Sequence, residues 1–409
     1  MLDGAHGEAA ALAMRIILEM ASLTGAARLI DITCAHIDSC LFHGIAGLDF
    51  AERLATAGGQ VAVPTTLNVS SLDLLHPDLY RGDEDTRIHA RRLMDAYVAM
   101  GCKATWTCAP YQLAERPSFG EHIAWAESNA IVFANSVLGA RTDRYGDFID
   151  ICAATTGRAP EAGLHLDDNR RGTVLFTFSG VSEALLREDV LYPVLGLLVG
   201  TATSGAEVPV IDGLPLGVSE DRLKALGAGA ASSGAVALFH AVGSTPEAPD
   251  LETALGGREP ERVIEVTPEM LKGARDELSS TVDGPLAAVS LGTPHFSVAE
   301  FEEFLALLHG RVAEGVDLWV STGRDVLAEI ERRGWLSQIE ESGVRLVVDT
   351  CTYITPILEP KEGVVMTNSA KWAWYAPGNI GVEVVFGSLR ECVRSATLGR
   401  VWRDGALWR

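Results

Sequence analysis

The sequence predicts an α/β fold, several βα units with largely parallel sheets arranged in subdomains. Three observations carry this. Between residues 286 and 368 stand four short apolar runs, LAAVSLG, DLWVST, RLVVDT and GVVMTN, and helical segments such as FEEFLALLHGR separate the first three. The first 139 residues alternate helix-like and strand-like patterns in the same way. The run ends read SLGTPHFS, VSTGRD, VVDTCTY and VMTNSAKWAWYAPG, small, polar or reactive residues where open α/β sheets bind ligands.

Along the chain, residues 7–22, rich in Ala, Leu, Met and Ile, read as a buried or amphipathic helix. RLIDITC (28–34) reads as a strand, LDFAERLATAG (48–58) as a helix and QVAVP (60–64) as a strand. DTRIHARRLMDAYVAMG (85–101) is a helix, CKATWTC (102–108) a strand, and HIAWAESNAIVFANSVLG (122–139) one long helix. The Gly- and Ala-rich stretch 180–245 holds a helix pair and a short strand, VPVIDG. Residues 245–262 are rich in Pro, Gly and acids and read as a surface connection. These changes divide the chain into an α/β subdomain at 1–180, a middle region at 181–262 and a doubly wound α/β subdomain at 263–409. SVAE at 297–300 is a capping box, with Ser297 at N-cap and Glu300 at N3 of the first helix of that last unit.

The composition narrows the function class. A formal charge of -22 over 409 residues argues against nucleic-acid or anionic-membrane binding, which reward clustered Lys and Arg. Seven scattered cysteines do not form a disulfide framework. The opening residues lack a basic start followed by an apolar core, and no apolar run is long enough for a bilayer, so the cytoplasm is the expected location.

Two cysteine motifs stand far apart: Cys108 in TWTCAPY and Cys351 in VVDTCTYITP. Each thiol follows a strand-like run, a placement that suits a metal or iron–sulfur site assembled from distant segments; free core cysteines are the alternative. A cluster wants three or four thiolates, and Thr293 of GTPH stands where a third would have been useful. Cys34, Cys40, His36, His43 and His295 are other donors, although the Cys34–Cys40 spacing is not a zinc signature. Glu127, Asn129, Asn135 and Ser136 are unusual in so apolar a stretch, because polar groups must be paired when buried. Arg141 can clamp a carboxylate, whereas Arg144 reads as an ordinary helix end. In TNSAKWAWYAPG, Lys371 lies among aromatic residues beside Ser369 and Tyr375; it is a desolvated base, an anion holder, or a surface lysine with a buried stem.

Taken in order, MLDGAHGEAA, AHIDSC, VPTTLN, TWTCAPY, WAESNAIVFANSVLGARTDR, GLHLDDNRRG, SLGTPHFS, VDTC and TNSAKWAWYAPG resemble the aconitase X family, its large catalytic part, over nearly the whole chain. The resemblance implies an aconitase-like arrangement of subdomains around a central cleft. It implies a hydro-lyase acting on a hydroxylated carboxylate, and an iron or iron–sulfur centre. By motif, Cys108 and Cys351 match the metal ligands, while Thr293 replaces the cysteine of the Gly-Cys-Pro-His segment found in many members. The matching segments assign Lys371, Ser369, Arg141 and Glu127 to catalysis, and His36, Thr66, Asn68, Asn135 and His295 to substrate binding.

The family also implies a small swivelling domain, expected here as a separate subunit that brings a serine base by analogy with aconitase. The expected substrate is cis-3-hydroxy-L-proline, which bacterial members convert to Δ1-pyrroline-2-carboxylate. Mevalonate 5-phosphate, the substrate of archaeal members, is the alternative, disfavoured by the absence of a glycine-rich phosphate cradle. A non-catalytic iron-binding homologue is the reading from another class.

Overall fold

The computed structural model describes residues 1–359 and 361–408. The first unit contains α1 (Glu8–Thr24), β1 (Leu29–Asp31), β2 (Ala35–Ile37), α2 (Ile45–Thr56), β3 (Thr65–Leu67), α3 (Glu84–Ala99), β4 (Ala124–Trp125), α4 (Ser128–Phe133), α5 (Ile149–Thr156) and β5 (Arg158–Pro160). β3, β2 and β4 form a parallel sheet in that order, and β1 pairs antiparallel with β5. α3 starts where Asp83 accepts the Thr86 N–H at 2.8 Å, an N-cap that satisfies one orphan donor. Apolar faces of α1, α2 and α3 meet the sheet through Ile17, Leu54, Leu93 and Tyr97.

Three expectations change in this unit. The strand expected at 60–64 lies instead at Thr65–Leu67, and 102–108 contributes only an isolated bridge from Lys103 to Thr66. The single helix expected at 122–139 opens as β4, becomes helical only at Ser128, and ends in a π turn over Ala134–Leu138. The physical reason is Glu127: its carboxylate caps the Ala130 N–H at 2.6 Å, so the helix begins after it.

The middle unit holds β6 (Val174–Phe178), α6 (Glu183–Leu186), α7 (Leu191–Ala202), β7 (Pro209–Ile211), α8 (Glu220–Gly234), β8 (His240–Ala241), α9 (Leu251–Ala254), β9 (Arg262–Val266) and α10 (Pro268–Glu277). The sheet is parallel in the order β8-β7-β6-β9, so it includes β6, which precedes residue 181, and β9, which crosses residue 262. The helix pair with one short strand is therefore a four-stranded unit. Its glycines let α7 and α8 touch: a Cβ at Gly229 would lie 2.9 Å from the Pro193 carbonyl oxygen, and one at Gly196 would collide with that of Leu226.

The last unit runs β10 (Leu286–Phe296), α11 (Val298–Leu307), β11 (Asp317–Thr322), α12 (Arg324–Arg332), α13 (Trp335–Glu341), β12 (Val344–Val347), β13 (Val364–Thr367), α14 (Ala370–Ile380), β14 (Val384–Phe386) and α15 (Leu389–Leu398). Its five strands are parallel in the order β12-β11-β10-β13-β14. The capping box at Ser297 and Glu300 forms as expected. Strand order reverses between β10 and β13, with β11 and β12 added on one side of β10 and β13 and β14 on the other, which makes their carboxyl ends the topological switch point. One buried core joins the three units, running from Val69 and Val132 through Leu226 and Phe239 to Trp319 and Trp372. No helix among the described residues is long and apolar enough to cross a membrane.

Candidate metal and catalytic site

The carboxyl ends of two parallel sheets converge. In the first unit β2, β3 and β4 lead into Asp38, Asn68 and Glu127; in the last, β10 and β13 lead toward His295 and Ser369. The loops are tied directly: the Ser70 N–H donates to the Asp349 carbonyl at 2.7 Å, and the Val348 N–H to Asp73 Oδ2 at 2.8 Å. Arg324 holds Asp349 with two hydrogen bonds, of 2.6 and 2.7 Å.

This convergence brings Cys108, His295 and Cys351 together, with one ligand atom from each lying within 4.8 Å of the others and all three residues buried. The His295 N–H donates to Cys108 Sγ at 3.3 Å. Its ring is oriented by Thr107, whose Oγ1 lies 3.0 Å from Nδ1, and Nε2 lies 3.9 Å from Cys351 Sγ. A side chain at Gly323 would crowd this support, because its Cβ would stand 3.3 Å from Thr107 Oγ1 and 3.9 Å from His295 Nδ1. Burial is the largest influence and penalises a thiolate here, but the hydrogen bond from Cys351, the Lys371 charge and the His295 N–H together outweigh it and lower the Cys108 pKa. Cys351, on the other side of that bond, is pushed well up. Two thiols and an imidazole are a donor set for a borderline-soft transition metal such as iron. The two cysteines therefore lie within ligand reach of each other, as their motifs suggest. Near the missing thiol at Thr293 it is His295, read from sequence both as an alternative metal donor and as a substrate-binding residue, that stands within reach of the two thiols.

Lys371 and Glu127 face each other beside this set and form a buried ion pair. Glu127 also accepts from Ala130 N at 2.6 Å and Asn129 Nδ2 at 3.1 Å; Asn129 in turn donates to the Cys108 carbonyl at 2.6 Å. Burial is the largest influence and would lower the Lys371 pKa, but the charges of Glu127, Tyr353 and Cys108 and the hydrogen bond to Glu127 together outweigh it and hold it well above its ordinary value. For Glu127, burial is the largest influence and pulls upward, but the Lys371 charge and the hydrogen bonds from Lys371, Ala130 and Asn129 together pull its pKa below the ordinary value, so it stays ionised. Lys371 is thus an ammonium and not a base.

Ser369 is the N-cap of the helix that carries Lys371: its Oγ accepts from Trp372 N at 3.0 Å and donates to the Thr293 carbonyl. These bonds join the two strands at the switch point. On the first unit, His36 Nδ1 lies 2.8 Å from Thr66 Oγ1, so Thr66 orients the ring. Burial lowers the His36 pKa to about 4, leaving it neutral. His36 Nε2, Asn68 Oδ1 and Thr293 Oγ1 are buried without a partner among the described residues. Each such atom costs roughly 1–3 kcal/mol unless something supplies the missing bond, which marks these positions for a polar ligand.

Two expected residues do not join the site. Asn135 has both amide hydrogens on the Thr142 and Ala237 carbonyls and its oxygen on Thr142 N and Arg170, so it is a spent structural bracket. Arg141 bridges His122, two residues before β4, whereas Glu127 comes two residues after it. The separation along that extended run is about 16 Å, at the opposite end of the sheet. Its guanidinium pairs with Asp167 and the His165 carbonyl. Replacement of Arg141 by alanine is expected to leave kcat and KM within about twofold of the parent, and a KM rise of about tenfold in steady-state kinetics would return it to the site. Cys40 bonds the Ile37 and Asn68 carbonyls, Cys102 and Cys152 lie in the same core and Cys392 in that of the last unit. Asp38, half-buried and hydrogen-bonded by Asn68, was present in AHIDSC but carried no separate signal there.

Family models match along the chain in three parts: aconitase X first domain at residues 1–168, second domain at 172–276 and third domain at 286–398. The chain is 48% identical over 404 residues to a cis-3-hydroxy-L-proline dehydratase of Pseudomonas aeruginosa, covering 98% of this chain and 69% of that protein. It is 36% identical over 397 residues to the phosphomevalonate dehydratase large subunit of Methanothermobacter thermautotrophicus, covering 96% of each. The holo-form crystal structure of Thermococcus kodakaraensis aconitase X superimposes with a TM-score of 0.85 at 32% identity, covering 97% of both chains.

Proposed function

Because this chain belongs to the aconitase X family, we propose that it is the catalytic chain of a hydro-lyase that converts cis-3-hydroxy-L-proline to Δ1-pyrroline-2-carboxylate. The observation that carries the reading is the buried Lys371 ammonium beside the Cys108, His295 and Cys351 donors, in a chain 48% identical to an enzyme of that name. An iron or iron–sulfur centre held by those three residues would supply Lewis acidity toward a substrate oxygen. Lys371 holds the carboxylate and the enolate charge that develops when the Cα proton leaves. Glu127 keeps Lys371 charged and aimed. His36 and Asn68 offer their free polar atoms to the ring nitrogen and the hydroxyl.

We assign the Cα base to a small swivelling subunit that closes the cleft and excludes water. Relatives named as large subunits and matched over nearly their full length support a separate partner. Seven free thiols suit a reducing compartment, and we place the reaction in the cytoplasm.

A paired assay tests the reading. The chain assembled with its small subunit is expected to dehydrate cis-3-hydroxy-L-proline, and the chain alone to be nearly inactive. Turnover of mevalonate 5-phosphate alone would replace the substrate assignment, and full turnover by the isolated chain would remove the partner.

A further inference from the structure

Elimination of water needs two proton movements, one off Cα and one onto the departing hydroxyl. The residues discussed above do not provide the second. Asp38 stands immediately after β2, two residues from His36, so the period of a strand turns both side chains to one face. The register that pairs Ile37 with Leu67 sets Asp38 opposite Asn68, whose Nδ2 donates to Asp38 Oδ1. The loop is fixed from behind: the Asp38 and Ser39 N–H groups donate to Asp150 Oδ2 at 2.9 and 3.0 Å. Asp38 Oδ2 has no hydrogen-bond partner among the described residues, and the unpartnered Nε2 of His36 and Oδ1 of Asn68 belong to the same strand ends.

The other groups are poor proton donors. Glu127 is ionised and occupied by Lys371, Ala130 and Asn129. Lys371 holds its proton too firmly, and His36 is a neutral imidazole. The carboxyl of Asp38 differs: burial foremost, and then the charges of Glu127, Asp147 and Asp150 against that of Lys371, raise its pKa to about 7. It holds a proton near neutrality that it can release.

Resting on the dehydratase reading, we propose that Asp38 is the general acid of the elimination. The Cα–H pair becomes the Cα–C3 double bond, and the C3–O bond breaks toward oxygen. That oxygen takes the Asp38 proton and leaves as water. The carboxylate is reprotonated from solvent, and the enamine product tautomerises to the imine.

The test compares cis-3-hydroxy-L-proline with cis-3-fluoro-L-proline, from which fluoride leaves without a proton, using the metal-loaded enzyme assembled with its small subunit. Asp38→Asn is expected to lower kcat on the hydroxy compound by about 10²- to 10⁴-fold and on the fluoro compound by no more than about threefold. The fall of wild-type kcat as pH rises through neutrality should vanish in the variant. Asp38→Glu keeps a carboxyl and should keep the wild-type ratio of the two rates. An equal loss on both compounds, no loss on either, or a collapsed ratio in Asp38→Glu overturns the assignment. Wild-type enzyme inactive on both compounds would instead sink the dehydratase reading itself.

Discussion

Lys371→Met is expected to lower kcat/KM for the hydroxyproline by at least about 10²-fold, the scale of removing one preorganised donor at a developing oxyanion. It is also expected to cost about 3–5 kcal/mol of stability, because Glu127 is left as an unpaired charge in a buried place. The pH dependence gives the sign. In the parent, Lys371 holds the Glu127 pKa down, so the stability that Glu127 contributes is present above its unfolded pKa and lost as pH falls through the folded one. Without the lysine, burial is the largest influence left and raises that pKa. An acid with a raised folded pKa loses stability as pH rises past its unfolded value. Melting temperatures should therefore show the variant less destabilised at pH 5 than at pH 8. The double variant Glu127→Gln, Lys371→Met should recover stability and not activity. A Lys371→Met enzyme with parental kinetics would take the lysine out of the mechanism.

Cys351→Ser and Cys108→Ser are each expected to lower retained iron at least tenfold, given that loss of mere outer-shell support already costs about 10- to 100-fold in affinity. Iron and sulfide quantitation after anaerobic purification reads this directly, and it also separates a cluster from a single ion. Cys392→Ser, in the core of the last unit, should keep the full metal content. His295→Asn should fall between these limits. Parental iron in Cys351→Ser would show that the three convergent donors are not the metal site.

What was legible in the sequence was local. The capping box at Ser297 and Glu300, the four apolar runs of the last unit and the helices α1, α2 and α3 follow from short-range periodicity and end chemistry. Misreading 122–139 as one helix had a longer reach. It set Glu127 and Asn135 on a single element with Arg141 just after its end, while the structure places Glu127 after a two-residue strand and Arg141 back beside the start of that strand. So short a strand has no periodicity to detect, and only its pairing with β2 defines it.

The sequence by itself determined the α/β class and singled out Cys108, Cys351, Glu127 and Lys371 as candidates, with the cysteines open between core and metal and Lys371 open between base, anion holder and surface residue. Only the tertiary structure decided that His295 lies beside Cys108 and Cys351, that Lys371 keeps its proton and that Arg141 lies at the other end of the sheet from Glu127. The reason is physical: a residue's type is written locally, but its protonation state and its partners depend on charges and strand ends that come from distant segments and meet only when the sheets converge.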